Sequence, residues 1–309
     1  MHITLLWILQ IVFIPALSPF AIGLTRLIKA KFQNRKGASP LQPYRDLWKL
    51  FHKDEVVSED ASWIFAFAPY VVFGVTLAIG AMIPLVSTVL VTGLAGDFLV
   101  IVYLVALGTF WLALAGMDTG SAFGGFGSSR EMMVAAFTEG GLVLSLLTLV
   151  LLAGTTNLTG VAAAVAGLPF ADVASVTLAG VAFVIAMLAE TSRYPFDNPA
   201  THLELTMIHE AMILEYSGKR LALMEWAAAN KYLIFISLGT TLFFPWGMAH
   251  TLGTGAIALS VAILLLKDAL LCAAIATLES SIAKLRIFRL PDLLFTACIL
   301  GLIAIGLIA

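Results

Sequence analysis

The sequence predicts an all-α polytopic membrane protein, and three observations lead there. Hydrophobic residues make up 61% of the 309, with a mean hydropathy of +1.01, against about 45–50% apolar residues in an ordinary soluble domain. They come in windows of about 20 residues, the length that crosses a hydrocarbon core of about 30 Å as a helix. The runs are long rather than alternating over about ten residues, so helices instead of a closed barrel satisfy the backbone polar groups.

The spans fall at about 3–25, 64–91, 97–117, 132–153, 172–190, 228–246, 254–277 and 293–309, within a single transmembrane domain over 1–309. The first lacks a basic leader and stays apolar up to Arg26, so it reads as a retained span and not as a cleaved signal. The fourth opens just after Arg130 and Glu131 and carries Glu139 about two turns inside. Pro195 and Pro199 fit poorly inside a helix, so the fifth ends near Arg193 and leaves Glu190 at its mouth. Lys231, near one end of the sixth span, reads as a snorkelling side chain. Lys267 and Asp268 are adjacent midway along the seventh; they point in different directions and each needs its own partner. Glu279, Arg286, Arg289 and Asp292, around the start of the last span, read as interface anchors.

The connections sort by charge. Segments 26–63, 118–131, 191–227 and 278–292 hold eight, one, three and three Lys/Arg, and the remaining connections hold none. Positive-inside reasoning places those four segments in the cytoplasm and both termini on the opposite side of a cell (inner) membrane. Segment 26–63 begins as a basic helix end, breaks at Gly37–Pro40 and resumes with Leu41, Asp46, Leu47, Leu50 and Phe51 at helical spacing, as an amphipathic interfacial helix would. Its arginines and aromatics suit the docking of a soluble partner.

Several function classes fall away. Net charge is −2 and the basic residues form no single basic domain, so nucleic acid is not a partner. Cys272 and Cys298 lie in apolar runs without CxxC spacing, which excludes an iron–sulfur or zinc site in this chain. The stretch TGSAFGGFG at Thr119–Gly127 lacks the lysine of a phosphate-binding loop, and its glycines serve a tight turn or a close backbone approach.

Chemistry concentrates at Ala189–Gly218, where Glu190, Asp197, Glu204, Glu210 and Glu215 share a short stretch with His202 and His209. Ionisable groups beside a membrane core are costly and mark function. From Ala200 to Leu214 oily and protonatable residues alternate at helical spacing, and His202 superposes on His209 as Glu204 does on Glu215. Such a helix lines a wet proton path; a solvated amphipathic helix with an incidental acidic face fits the same spacing. Glu139 is the foremost carboxylate within a span, with Glu131 eight residues before it on roughly the same face. The proton-path candidates are thus Glu139, Glu190, Asp197, Glu204, His202, Glu215, Glu131, Lys267 and Asp268.

At these residues the chain resembles a known family, the eight-helix membrane subunit shared by respiratory complex I and membrane-bound energy-converting nickel–iron hydrogenases. The resemblance rests on QNR at Gln33–Arg35, LQPYRD at Leu41–Asp46, SREMM around Arg130, AETSRYPFD at Ala189–Asp197 and EYSG at Glu215–Gly218. Three departures from the complex I pattern favour the hydrogenase branch of the formate hydrogenlyase or hydrogenase-4 type: a short Gly37–Pro40 break, Ala200 and His202 in place of glutamates, and an added turn at Ile208–Leu214. The resemblance implies a non-catalytic anchor and coupling subunit of an oxidoreductase complex, linking electron transfer in a peripheral arm to proton or ion translocation. It implies docking of the hydrogenase large and small subunits through Arg35, Arg45, Asp46, Arg130 and Arg193, and contact with antiporter-like membrane subunits. The nickel–iron centre and iron–sulfur clusters then belong to partners, and the shortened break argues against quinone. Two other readings remain: the quinone-site subunit of an NADH dehydrogenase, and a free-standing ion carrier or channel.

Overall fold

The structure, a computed structural model, describes residues 2–88, 96–169, 172–198, 207–251 and 253–308. The described residues form eleven α-helices and no strand: α1 (His2–Phe32), α2 (Gln42–Phe51), α3 (Trp63–Met82), α4 (Phe98–Asp118), α5 (Ala122–Ala153), α6 (Leu158–Val165), α7 (Val173–Glu190), α8 (His209–Ile213), α9 (Gly218–Leu242), α10 (Thr254–Ser281) and α11 (Leu290–Gly306). Among the described residues eight helices are long and apolar enough to cross a membrane, namely α1, α3, α4, α5, α7, α9, α10 and the stretch ending in α11. The chain is an all-helical multi-pass membrane protein.

Helix α9 is the most buried span and packs on α1, α3 and α10, with α2 against it as well. Around it α3 packs on α4, α4 on α5, and α5 on α7 and α11. Spans α10 and α11 bury least, and leucines such as Leu259, Leu266, Leu270 and Leu302 stand outward, as a hydrocarbon solvent allows.

Local chemistry sets the helix ends. Asp97 caps α4 by accepting from Leu99 N at 2.9 Å, and Asn157 caps α6 by accepting from Thr159 N at 3.0 Å. Ser62 caps α3 and is itself held by Asp118 at the end of α4. The spans depart from their expected bounds where polar residues are involved. α3 stops at Met82, short of the expected 91, because Pro84 interrupts the helix although the apolar run continues. Gln10 Nε2 takes up the carbonyls this leaves, at Ala81 (2.8 Å) and Ile83 (2.7 Å). α5 starts at Ala122 instead of 132, so the glycine stretch is helical. A Cβ on Gly124 would lie 2.1 Å from Gly116 O, and one on Gly127 2.8 Å from Ala211 Cβ; these glycines let α4 and α8 approach α5. α9 starts at Gly218 rather than 228 because its first charged residues find polar surroundings, Arg220 pairing with Glu55 at 3.0 Å.

Two span prolines leave a carbonyl without its usual amide, and in both cases an aromatic donor fills the gap. Pro19 in α1 frees Pro15 O, which accepts from Trp226 Nε1 at 2.9 Å. Pro69 in α3 frees Phe65 O, which accepts from Tyr216 Oη at 2.9 Å.

Candidate functional site: a charged cavity among the spans

The turn after α7 builds the site. Arg193 N returns to Leu188 O at 2.8 Å, Ser192 takes a positive φ of 50°, and Phe196 N and Asp197 N both close on Arg193 O. This coil folds the carboxylates back over the bundle. Asp197, 2% exposed, accepts from Ile208 N and His209 N at 3.2 Å each and from Lys284 Nζ at 2.7 Å. One carboxylate thus fixes the start of α8 and the segment after α10.

Beneath it lies a cavity of about 300 Å³ bounded by α1, α2, α3, α4, α5 and α9. One wall is apolar, with Val72, Val75, Ile79 and Phe235; the other carries Glu131, Glu190, Asp197, His209, Glu210 and Lys231. Lys231 Nζ pairs with Glu190 Oε2 at 2.7 Å and donates to Thr109 Oγ1 at 3.3 Å. The snorkelling expectation for Lys231 is therefore corrected: an inward carboxylate and hydroxyl at the cavity outcompete the distant headgroup region. Glu131 and Glu190 are 6% and 5% exposed. The Nε2 of His209 is buried without a hydrogen-bond partner among the described residues. Burial lowers the His209 pKa to about 4, partly offset by Asp197. Burial, then the neighbouring Glu225 and Asp197, raises Glu210 to about 7.

A second cluster adjoins the first. Glu279, 5% exposed, binds Lys29 at 3.0 Å and Arg193 at 3.3 Å, while the Arg193 guanidinium lies 4.2 Å from the Tyr232 ring centroid. Glu279 is thus an internal acid that holds two cations, and the interface-anchor reading is corrected: α1 and the coil after α7 cover it and supply its partners. Arg193 faces inward and is 6% exposed.

The remaining candidates spread out. Glu139 is half-buried, lies outside the cavity lining and has Glu190 and Lys231 as electrostatic neighbours. His202 and Glu204 lie outside the described residues. Glu215 is exposed, and the rest of its motif anchors the fold: Ser217 Oγ donates to Val56 O and accepts from Val56 N, both at 2.8 Å. Gly218, at φ +53°, faces Asp54 O where a Cβ would lie at 2.9 Å. Lys267 and Asp268 find their partners within the chain, at the far end of α9. Lys267 donates to Phe244 O at 2.8 Å and Trp246 O at 3.2 Å, and Asp268 accepts from Ser237 at 2.9 Å and Thr240 at 2.7 Å. Arg35 and Arg45 are exposed, Asp46 lines the cavity mouth, and Arg130 donates to Met207 O at 2.9 Å. Among the described residues no group of three or more His, Cys, Asp or Glu could hold a metal ion.

A family model described as NADH dehydrogenase matches residues 3–309. The chain is 33% identical to formate hydrogenlyase subunit 4 of Escherichia coli K12 over 284 residues, 92% of each chain. It is 34% identical to hydrogenase-4 component C of the same organism, over 89% of this chain and 86% of that one. With a membrane relative from Rickettsia prowazekii, a component of its NADH-quinone oxidoreductase, it shares 30% over 66% of its own length and 59% of the relative. Its fold matches a chain of an archaeal respiratory membrane complex, the membrane-bound sulfane sulfur reductase, with TM-score 0.85 over the full length of both at 20% identity.

Proposed function

The chain belongs to the NADH dehydrogenase family, and from that premise we propose that it is the membrane anchor and coupling subunit of an energy-converting nickel–iron hydrogenase complex of the formate hydrogenlyase type. In this role its charged segments dock the hydrogenase large and small subunits on the cytoplasmic side. Its buried carboxylates connect electron transfer there to proton or ion movement toward antiporter-like neighbours. The nickel–iron centre and iron–sulfur clusters reside in the partners.

The cavity carries this reading: it sets Glu131, Glu190 and Lys231 in a protected space beside the coil after α7. Protonatable groups out of bulk water are what coupling requires, because leakage there would dissipate the gradient. The hydrogenase relatives match over about nine-tenths of the chain and the NADH-quinone oxidoreductase relative over two-thirds, which favours the hydrogenase branch.

Purification of the tagged chain from its native membrane tests the assignment. Nickel, iron and hydrogenase subunits should travel with it. Recovery as a lone homomer that moves ions would overturn the assignment in favour of a free-standing carrier. The apolar wall of the cavity supports one competing reading, a quinone-site subunit of an NADH dehydrogenase; stoichiometric co-purified quinone and sensitivity to quinone-site inhibitors would establish it instead.

A further inference from the structure

Lys231 carries an inference that deepens the proposed coupling role and rests on it. Its ammonium is anchored by a flexible stem on α9, 2.7 Å from Glu190 at the end of α7. Glu131 on α5 lines the same cavity and is 6% exposed, yet among the described residues no cation lies within 4.0 Å of it. Other cations near the cavity are committed elsewhere. Arg193 is on Glu279, Lys284 on Asp197, and Arg26 is exposed at the mouth. Two buried carboxylates therefore share one ammonium. In a medium of low dielectric constant only one of them can be charged and paired at a time, since an unpaired buried charge is strongly disfavoured.

We infer that Lys231 is the transferable counter-ion of a two-carboxylate relay between Glu131 and Glu190. In one state Glu190 is a carboxylate paired with Lys231 and Glu131 is a carboxylic acid. In the other, the proton has left the Glu131 oxygen and joined Glu190, and the ammonium has moved to the Glu131 carboxylate. The lysine keeps all of its protons, the summed charge is the same in both states, and one proton has crossed the cavity from α5 to α7. Thr109 Oγ1, 3.3 Å from Nζ, offers a lone pair on which the ammonium rests during the move. A lysine suits this exchange because it is a compact charge with rotatable donors, whereas an arginine fork fixes itself on one carboxylate.

The test uses the intact membrane complex in sealed vesicles, carrying Lys231→Met or Lys231→Arg. Nickel content and dye-linked hydrogenase activity report assembly, and ion uptake per dihydrogen reports coupling. Lys231→Met should assemble and lose coupling by at least about 10-fold, the scale of a lost proton-transfer group. Lys231→Arg keeps the charge and the ion pair and should still lose most of the coupling. In infrared difference spectra the carboxylic acid band that changes during turnover should vanish in Lys231→Met and in Glu131→Gln. Undiminished coupling in Lys231→Met overturns the inference, as does full coupling in Lys231→Arg, which would reduce Lys231 to a static charge. Should Lys231→Met fail to assemble, Lys231→Arg and the Glu131→Gln spectrum decide between the same two outcomes. A parental complex without nickel or hydrogenase subunits would instead overturn the proposed function.

Discussion

Tyr216 Oη donates to Phe65 O at 2.9 Å, and Phe65 O is the carbonyl that Pro69 deprives of its helical amide. The two rings also stack, centroid to centroid at 3.9 Å and nearly parallel. Trp226 repairs α1 in the same way at Pro15 O. A tyrosine in a stretch that reads as part of an acidic route is therefore a structural anchor, and its hydroxyl completes a span that could not otherwise satisfy its own backbone.

Removing that hydroxyl has a quantifiable cost. Tyr216→Phe leaves Phe65 O buried and unpaired and should destabilise the protein by about 1–3 kcal/mol, read as a lowered unfolding midpoint in detergent. Pro69→Ala restores the amide at that position, so the loss caused by Tyr216→Phe should shrink in the Pro69→Ala background. Equal losses in both backgrounds would disconnect the tyrosine from the proline.

Neighbouring glycines give a paired test of the α4–α5 approach. Gly124→Ala would push a Cβ to 2.1 Å from Gly116 O, whereas a Cβ at Gly125 meets nothing within 4 Å. Gly124→Ala should lower the melting temperature through about 1–3 kcal/mol of overpacking. Gly125→Ala should be neutral or stabilising by up to about 1 kcal/mol, since alanine is the better helix residue. Thermal unfolding of the two purified variants decides.

The pH response of α8 follows from two groups that act in opposite senses. Glu210, raised from 4.5 to about 7, holds an extra proton in the folded segment between those values. Its contribution is complete below pH 4.5 and is lost as pH rises through 7. His209, lowered from 6.5 to about 4, is neutral when folded; its contribution is present above pH 6.5 and is lost as pH falls through 4. Hydrogen exchange of the His209–Ile213 amides, corrected for intrinsic rate, should lose protection with rising pH across the upper window. Glu210→Gln should abolish that loss, and an unchanged profile in the variant would assign it to another group.

Glu139 reads on the coupling step from outside the cavity. Glu139→Gln should reduce ion translocation while the soluble arm keeps most of its dye-linked hydrogenase activity, because the side chain lies in electrostatic reach of Glu190 and Lys231, away from the peripheral redox chemistry. Normal translocation in the variant, measured in sealed vesicles, would remove Glu139 from the route.

The span count and the fold class were legible because a run of apolar residues needs no partner to be recognised. Bounds were legible only where a breaker stood, as at Pro195, and were misjudged at α5 and α9, whose first turns carry glycines or charges that read as loop until α4, α8 and the cavity supply their context. In the site, Glu131, Glu190 and Asp197 could be named from their place beside a span end. Lys231 and Glu279 could not, because whether a charge near a membrane edge points outward or inward depends on the elements facing it. The clue available was Asn230 beside Lys231 within an apolar stretch: Asn230 is wholly buried and bonded to Ser18 and Thr76, which marks that level of α9 as a polar layer.

Glu279 offers the sharpest test of that inward geometry. It holds both Lys29 and Arg193 while 5% exposed, so Glu279→Gln leaves two cations beside a neutral amide. Breaking a buried pair by removing one partner costs about 3–5 kcal/mol, more than replacing all members by apolar groups. The variant should therefore yield far less folded protein in the membrane, whereas Glu279→Leu combined with Lys29→Met and Arg193→Met should recover a good part of it. If Glu279→Gln alone accumulates and melts like the parent, Lys29 and Arg193 find water or other acceptors, and the acid is the surface anchor that its place at the end of α10 suggests.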